Sequence, residues 1–153
     1  MAEFVIRPAG KRDAQAIRSL IHQVQINPMG LDWRRFILAV GPNNEMIGCG
    51  QIKLHKDNSL ELASIAVRPD FRGRGVAQKI ISVLIEHEIR RPLFLMCRAR
   101  LESFYEKFGF RTASSSELPR YFRRIKRLEH IINQHVATDE RLLVMVLDGG
   151  STG

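Results

Sequence analysis

Ile65-Ala66-Val67-Arg68-Pro69-Asp70-Phe71-Arg72-Gly73-Arg74-Gly75-Val76-Ala77 is the stretch on which the reading of this chain turns. Its opening residues close a mostly apolar, strand-like run that begins at Leu60. Pro69 and Gly73 end that run, and the pattern beyond them predicts a helix from about Arg74 to Glu88 with Ile80, Val83 and Leu84 as its buried stripe. A strand that passes through a glycine turn into a helix makes an anion site from backbone alone. The first helical amides lack intrahelical partners. The glycines permit positive φ and close approach of a ligand. Successive amides form a nest, and the helix dipole favours a negative group by about 0.3–2 kcal/mol. Arg72 and Arg74 add charged donors, so the turn suits a phosphate or pyrophosphate. It is no P-loop, because Gly-Lys-Ser/Thr is missing. Gly73-x-Gly75 continues to Gln78, so the dinucleotide fingerprint is incomplete.

Working outward, Phe4–Arg7 reads as a first strand, and Asp13 as the cap of a helix with an Ile17, Leu20, Ile21, Val24 stripe. Gln25–Trp33 is irregular. Phe36–Val40 and Met46–Leu54 form a hairpin around Gly41-Pro42-Asn43-Asn44. Leu93–Cys97 is a short apolar strand of the kind found at a sheet centre. A helix over Leu101–Phe108 stops at Gly109, and Phe110-Arg111-Thr112 opens another strand. Pro119 starts a helix whose apolar positions are Tyr121, Ile125, Leu128 and Ile132, and Arg141–Leu147 is the last strand. Hairpins first and strand–helix–strand units later give an α/β or α+β chain with helices on both faces of one sheet. Residues 1–148 read as one domain and 149–153 as a flexible tail.

The 153 residues carry a formal net charge of +8, which points to an anionic partner without naming it. No run approaches the ~20 apolar residues that span a bilayer, and the N-terminus lacks the apolar core of a signal peptide. Cys49 and Cys97 each lie in an apolar run, as reduced buried thiols of a cytoplasmic protein would. His22, His55, His87, His130 and His135 have no metal-ligand spacing, so no metal is expected.

Arg72-x-x-Gly75-x-Ala77, preceded by Ile65-Ala66-Val67-x-Pro69, resembles the core motif of the GNAT superfamily of N-acetyltransferases. Phe104-Tyr105-Glu106-Lys107-Phe108-Gly109-Phe110 resembles that family's closing helix-to-strand signature, and Ile6-Arg7-Pro8 with Asp13-Ala14 its opening. The resemblance spans about Phe4 to Phe110. It implies a mixed central sheet of about six to seven strands, splayed between the fourth and fifth, and acetyl transfer from acetyl-CoA to a primary amine by direct attack in a ternary complex. It implies backbone contacts from Ile65, Ala66 and Val67 to the pantetheine arm, and a pyrophosphate cradle of Arg72, Gly73, Arg74, Gly75, Val76 and Ala77. Tyr105 aligns with the tyrosine that protonates the departing thiolate, and Glu61, eleven positions before Arg72, with a general base. The Asn27–Trp33 segment lies where the family places one wall of the acceptor site, which makes Asp32, Trp33 and Arg34 candidate substrate contacts.

Two features depart from the family pattern. Arg98 stands where family members often carry Asn, and an Arg there suits a carboxylate or the cofactor's 3′-phosphate. The segment Pro119–Val136 is longer than the minimal fold needs. Its Arg120, Arg123, Arg124, Lys126 and Arg127 form either a solvated face or a docking face for an acidic partner. Two rival readings remain: a coenzyme A-binding module without turnover, and a basic nucleic-acid or ribosome-associated module. The second lacks a base-reading motif and has few aromatics for stacking. The acceptor, and the choice between monomer and homodimer, are open at this stage.

Overall fold

Two largely apolar runs on either side of a glycine–proline turn commit Phe36–Val40 and Met46–Leu54 to an antiparallel hairpin. The computed structural model describes residues 3–132 and 140–149, and there the hairpin has those bounds, as strands β2 and β3. The described residues gather into two compact units: the chain up to Lys53 with Leu62–Ile89, and Leu54–Glu61 with the chain from Arg90 on. Seven strands are present among them, within the range the family resemblance implies.

The first unit contains β1 (Val5–Pro8), α1 (Ala14–Gln23), β2, β3, most of β4 (Leu60–Val67) and α2 (Val76–His87). Strands run in the order β1-β2-β3-β4, with β1 antiparallel to β2 (Val5 opposite Val40) and β2 antiparallel to β3 (Leu38 opposite Cys49). Because side chains alternate across a strand, β3 serves two helices. Cys49 and Leu38 pack with Ile17, Leu20 and Ile21 of α1. Gly48 and Gly50 face Val76, Ile80 and Leu84 of α2. Helices therefore cover both faces of this part of the sheet, as the sequence predicts. The stripe of α2 differs in one member: Ile81 is buried rather than Val83. Asp13 sits at the N-cap of α1 but makes no side-chain cap bond there. Its carboxylate accepts instead from the Arg7 guanidinium (2.8 and 3.1 Å) and from the Gly10 amide (2.7 Å). A two-donor guanidinium outcompetes one helix amide, and it holds Asp13 below the usual carboxylate range.

The second unit contains β5 (Leu93–Arg98), α3 (Glu102–Glu106), β6 (Arg111–Thr112), α4 (Arg120–Ile132) and β7 (Leu142–Leu147). Its strands run β5-β7-β6, antiparallel throughout, with Leu93 opposite Leu147 and Arg111 opposite Val146. Phe122 of α4 is fully buried against Phe94, Val144 and Val146. The apolar stripe read from the sequence needs correcting here. Phe122 anchors the helix, whereas Leu128 and Ile132 are 59% and 67% exposed. A 3.6-residue period finds the stripe but not the turn at which the helix leaves its support. The predicted continuation of this helix to Val136 and the tail from residue 150 lie outside the described residues. No helix among the described residues is long and apolar enough to cross a membrane.

Candidate active site

In the first unit, β4 ends at Val67 and the Arg68 amide donates to Ile47 O at 2.8 Å, the last sheet contact before the turn. Pro69–Phe71 forms a single 3-10 turn, after which Arg72 is extended. Gly73 and Gly75 both take φ of +78°, a conformation that disfavours any residue with a Cβ. Gly75 is the N-cap of α2, and Lys79 is the first amide bonded back into the helix, to Gly75 O at 3.1 Å. The amides of Val76, Ala77 and Gln78 thus open α2. A Cβ built on Gly73 would meet nothing within 4 Å, so this turn faces open space and a ligand can approach its backbone. Arg72, Gly73, Arg74 and Gly75 are all exposed. The guanidinium of Arg74 lies over the Phe71 ring at 5.2 Å, as does that of Arg68, which also pairs with Asp70 at 3.1 Å. Phe71 thus splints Arg74, one of the two arginines of this turn.

Ile65, Ala66 and Val67 are the last three residues of β4. Just before them Ser64 takes φ of +59°, a bulge-like break inside a strand. Its carbonyl accepts from the Cys49 thiol (3.6 Å) and its hydroxyl from Gln51 Nε2 (2.9 Å), so the break is braced by β3. Sequence reading missed it, because serine carries no signal for positive φ. Asp32 and Trp33 are committed locally. Asp32 Oδ1 accepts from the Arg34 amide at 3.1 Å, capping a 3-10 turn, and Trp33 packs against the core around α1. Arg34 stays exposed above the Trp33 ring.

In the second unit, Tyr105 stands on α3, half-buried, edge-on to Phe104 (5.1 Å) and Phe110 (6.2 Å). Burial, with Cys97 nearby, pushes its phenol up to about 12. A phenol so placed stays protonated at neutral pH and is a competent hydrogen-bond or proton donor. Cys97 is itself pushed up to about 11 by burial, with Glu102 adding to the rise, and lies 3.7 Å from Met145 Sδ. Burial of this kind favours the neutral thiol over the nucleophilic thiolate. Arg98 donates to Glu140 O at 3.1 Å across the β5–β7 pair, which directs one of its nitrogens at backbone rather than at a phosphate.

Glu61 is only 4% exposed, far from a surface carboxylate. Its Oε1 lies 2.8 Å from His55 Nε2. The His55 ring stacks on Tyr121 (3.6 Å between centroids, 17° between planes) and meets Phe122 edge-on at 5.8 Å. Nothing in the residue pattern joins these residues: His55 lies in a turn and Tyr121 opens a helix 66 positions later. Phe94 and Met96 of β5 face α4, whereas Cys97 faces Tyr105. By strand alternation, α4 with the His55–Glu61 pair and α3 with Tyr105 sit on opposite faces of β5. Among the described residues no group of three His, Cys, Asp or Glu side chains is placed to hold a metal.

A family model described as an acetyltransferase (GNAT) domain matches residues 32–112. Among solved structures, N-acetylglutamate synthase from Neisseria gonorrhoeae, complexed with coenzyme A and L-arginine, is 21% identical with a TM-score of 0.72, over 97% of this chain and 34% of that one. The present chain thus spans about a third of that enzyme's length. Rv2747 from Mycobacterium tuberculosis, solved in complex with CoA, is 19% identical with a TM-score of 0.70, over 94% and 98% of the two chains. The ribosomal-protein-S18-alanine N-acetyltransferase from Escherichia coli is 20% identical with a TM-score of 0.68, over 98% and 96%. At such identities the likeness is one of fold.

Proposed function

The chain belongs to the GNAT acetyltransferase family, and from that premise we propose that it moves an acetyl group from acetyl-CoA to a primary amine by direct attack in a ternary complex. The observation that carries the reading is the open turn at the head of α2. Its two left-handed glycines and unpartnered first amides, flanked by Arg72 and Arg74, fit a diphosphate. Ile65, Ala66 and Val67 offer backbone to the pantetheine arm. Glu61 takes the proton from the ammonium, which must be lost before the nitrogen can attack the thioester carbonyl. Tyr105 gives its proton to the thiolate that leaves. With these two groups on opposite faces of β5, proton removal and proton delivery are kept apart.

Isothermal titration with acetyl-CoA tests the cradle. Arg72→Glu combined with Gly75→Glu should weaken binding by about tenfold or more, and unchanged affinity would remove the diphosphate assignment. A thiol-release screen across lysine, polyamine, amino-acid and N-terminal peptide acceptors then finds the amine. Binding without release for every class would leave a coenzyme A-binding module. The four arginines of α4 that remain exposed, Arg120, Arg123, Arg124 and Arg127, are proposed to meet an acidic partner or acidic acceptor. Lys126 leaves that group, since its Nζ donates to Leu142 O at 2.7 Å. A cytoplasmic setting suits the two buried thiols.

A further inference from the structure

We propose that His55 is a positioning residue for Glu61, fixing the carboxylate that removes the acceptor's proton. The inference rests on the base role given to Glu61 above. A carboxylate as buried as Glu61, at 4% exposure, needs a partner. The partner here is a ring that is itself immobilised. A carboxylate oxygen accepts, so Nε2 of His55 is the donor to Oε1 at 2.8 Å. One face of the imidazole is covered by Tyr121 and its edge by Phe122. Tyr121 is tied in turn by its amide, which donates to Asp57 Oδ2 at 2.9 Å, and the other Asp57 oxygen accepts from the Ser59 amide at 2.9 Å. The turn between β3 and β4 and the first residues of α4 thus clamp the ring from two elements. Among the described residues, the titratable side chains that bear on it are Glu61, Tyr121 and Asp57. With Oε1 held, the carboxylate has one orientation, and Oε2 is the oxygen assigned to receive the proton. A histidine that merely satisfies a buried acid would affect stability and leave turnover alone; a positioning histidine affects the chemical step.

The test uses the full chain with acetyl-CoA and whichever of lysine, spermidine or an N-terminal tetrapeptide releases thiol fastest. His55→Ala should lower kcat by about tenfold or more while the KM values for both substrates stay within about twofold. His55→Gln, whose amide nitrogen can reach the same oxygen, should recover most of the rate. In a Glu61→Gln background His55→Ala should cost nothing further. Retained kcat in His55→Ala, or full multiplicative loss on top of Glu61→Gln, overturns the proposal. Should His55→Ala not fold, His55→Gln against the shorter His55→Asn decides, and equal rates for those two overturn it. Full rate in Glu61→Gln would strike the base assignment itself. A wild-type chain inert toward all three amines would strike acetyl transfer, so the failures are distinguishable.

Discussion

Burial raises the Tyr105 phenol to about 12, with Cys97 adding to the shift, whereas a free tyrosine ionises near pH 10. The neutral form is therefore favoured in the fold. This stabilisation is fully present below about pH 10 and is lost as the pH rises toward 12, because the unfolded chain gives up the proton first; it amounts to about 2–3 kcal/mol. Alkaline unfolding followed by circular dichroism should accordingly steepen between about pH 10 and 12, and Tyr105→Phe should flatten it. Tyrosinate absorbance at 295 nm reports the same group, since the chain has two tyrosines and Tyr105→Phe leaves only Tyr121 to titrate. If Tyr105 is also the thiolate's proton donor, Tyr105→Phe lowers kcat by about a hundredfold with little change in the KM for acetyl-CoA. The cysteines give a second reading at this scale. Burial pushes Cys49 up to about 12 and Cys97 to about 11, so at pH 8 both are held as thiols rather than thiolates. An aromatic disulfide reagent at pH 8 should label neither until denaturant is added. Rapid labelling of Cys97 in the native chain would contradict its placement against Met145.

At the level of elements, α2 is held by what β3 lacks. A Cβ on Gly50 would sit 2.6 Å from Ile65 Cδ1 and 2.7 Å from Ile80 Cγ2, and one on Gly48 2.9 Å from Val76 Cγ1 and 3.1 Å from Ala66 O. Helix and strand approach at a separation only glycine allows. Gly50→Ala should destabilise the chain by about 1–3 kcal/mol in urea titrations. It should also weaken acetyl-CoA binding, because the helix it displaces carries the proposed cradle at its head. A Gly50→Ala protein of wild-type stability would mean that α2 stands farther off than described. The elements themselves were mostly legible in the sequence: β2, β3 and β4 have the bounds their apolar runs and turns predict. The left-handed glycine turn at the head of α2 was legible for the same reason, as local chemistry written into consecutive residues. Tertiary choices were not. Asp13 abandons its cap for Arg7, Ser64 takes a left-handed conformation braced by Gln51, and Phe122 rather than Leu128 anchors α4. Each depends on a partner at least six positions away, which no periodicity encodes.

Over the molecule as a whole, the formal charge of +8 and the exposed arginines of the cradle and of α4 set the field a ligand meets in solution. Composition alone sets the size of that charge. The structure shows where cations are locally offset, Arg7 by Asp13 and Arg111 by both Glu117 and Asp148, pairs that leave the net charge unchanged because their acids are already counted in it. Arg72 and Arg127 are among the exposed cations. A field of one sign raises encounter rates with an anion and is screened over about 10 Å at 0.1 M salt. The association rate of acetyl-CoA, measured by stopped flow, should therefore fall several-fold between about 20 and 500 mM NaCl. Dissociation, if set by short contacts at the α2 turn as proposed, should change less. Arg120→Gln with Arg124→Gln and Arg127→Gln should reduce the salt slope of association without altering the dissociation rate, since these side chains are no part of the proposed cradle and would act through the field alone. Arg72→Gln should change both rates. An association rate indifferent to salt would mean that the excess positive charge takes no part in capturing the cofactor, and would leave the arginines of α4 to the acceptor or partner alone.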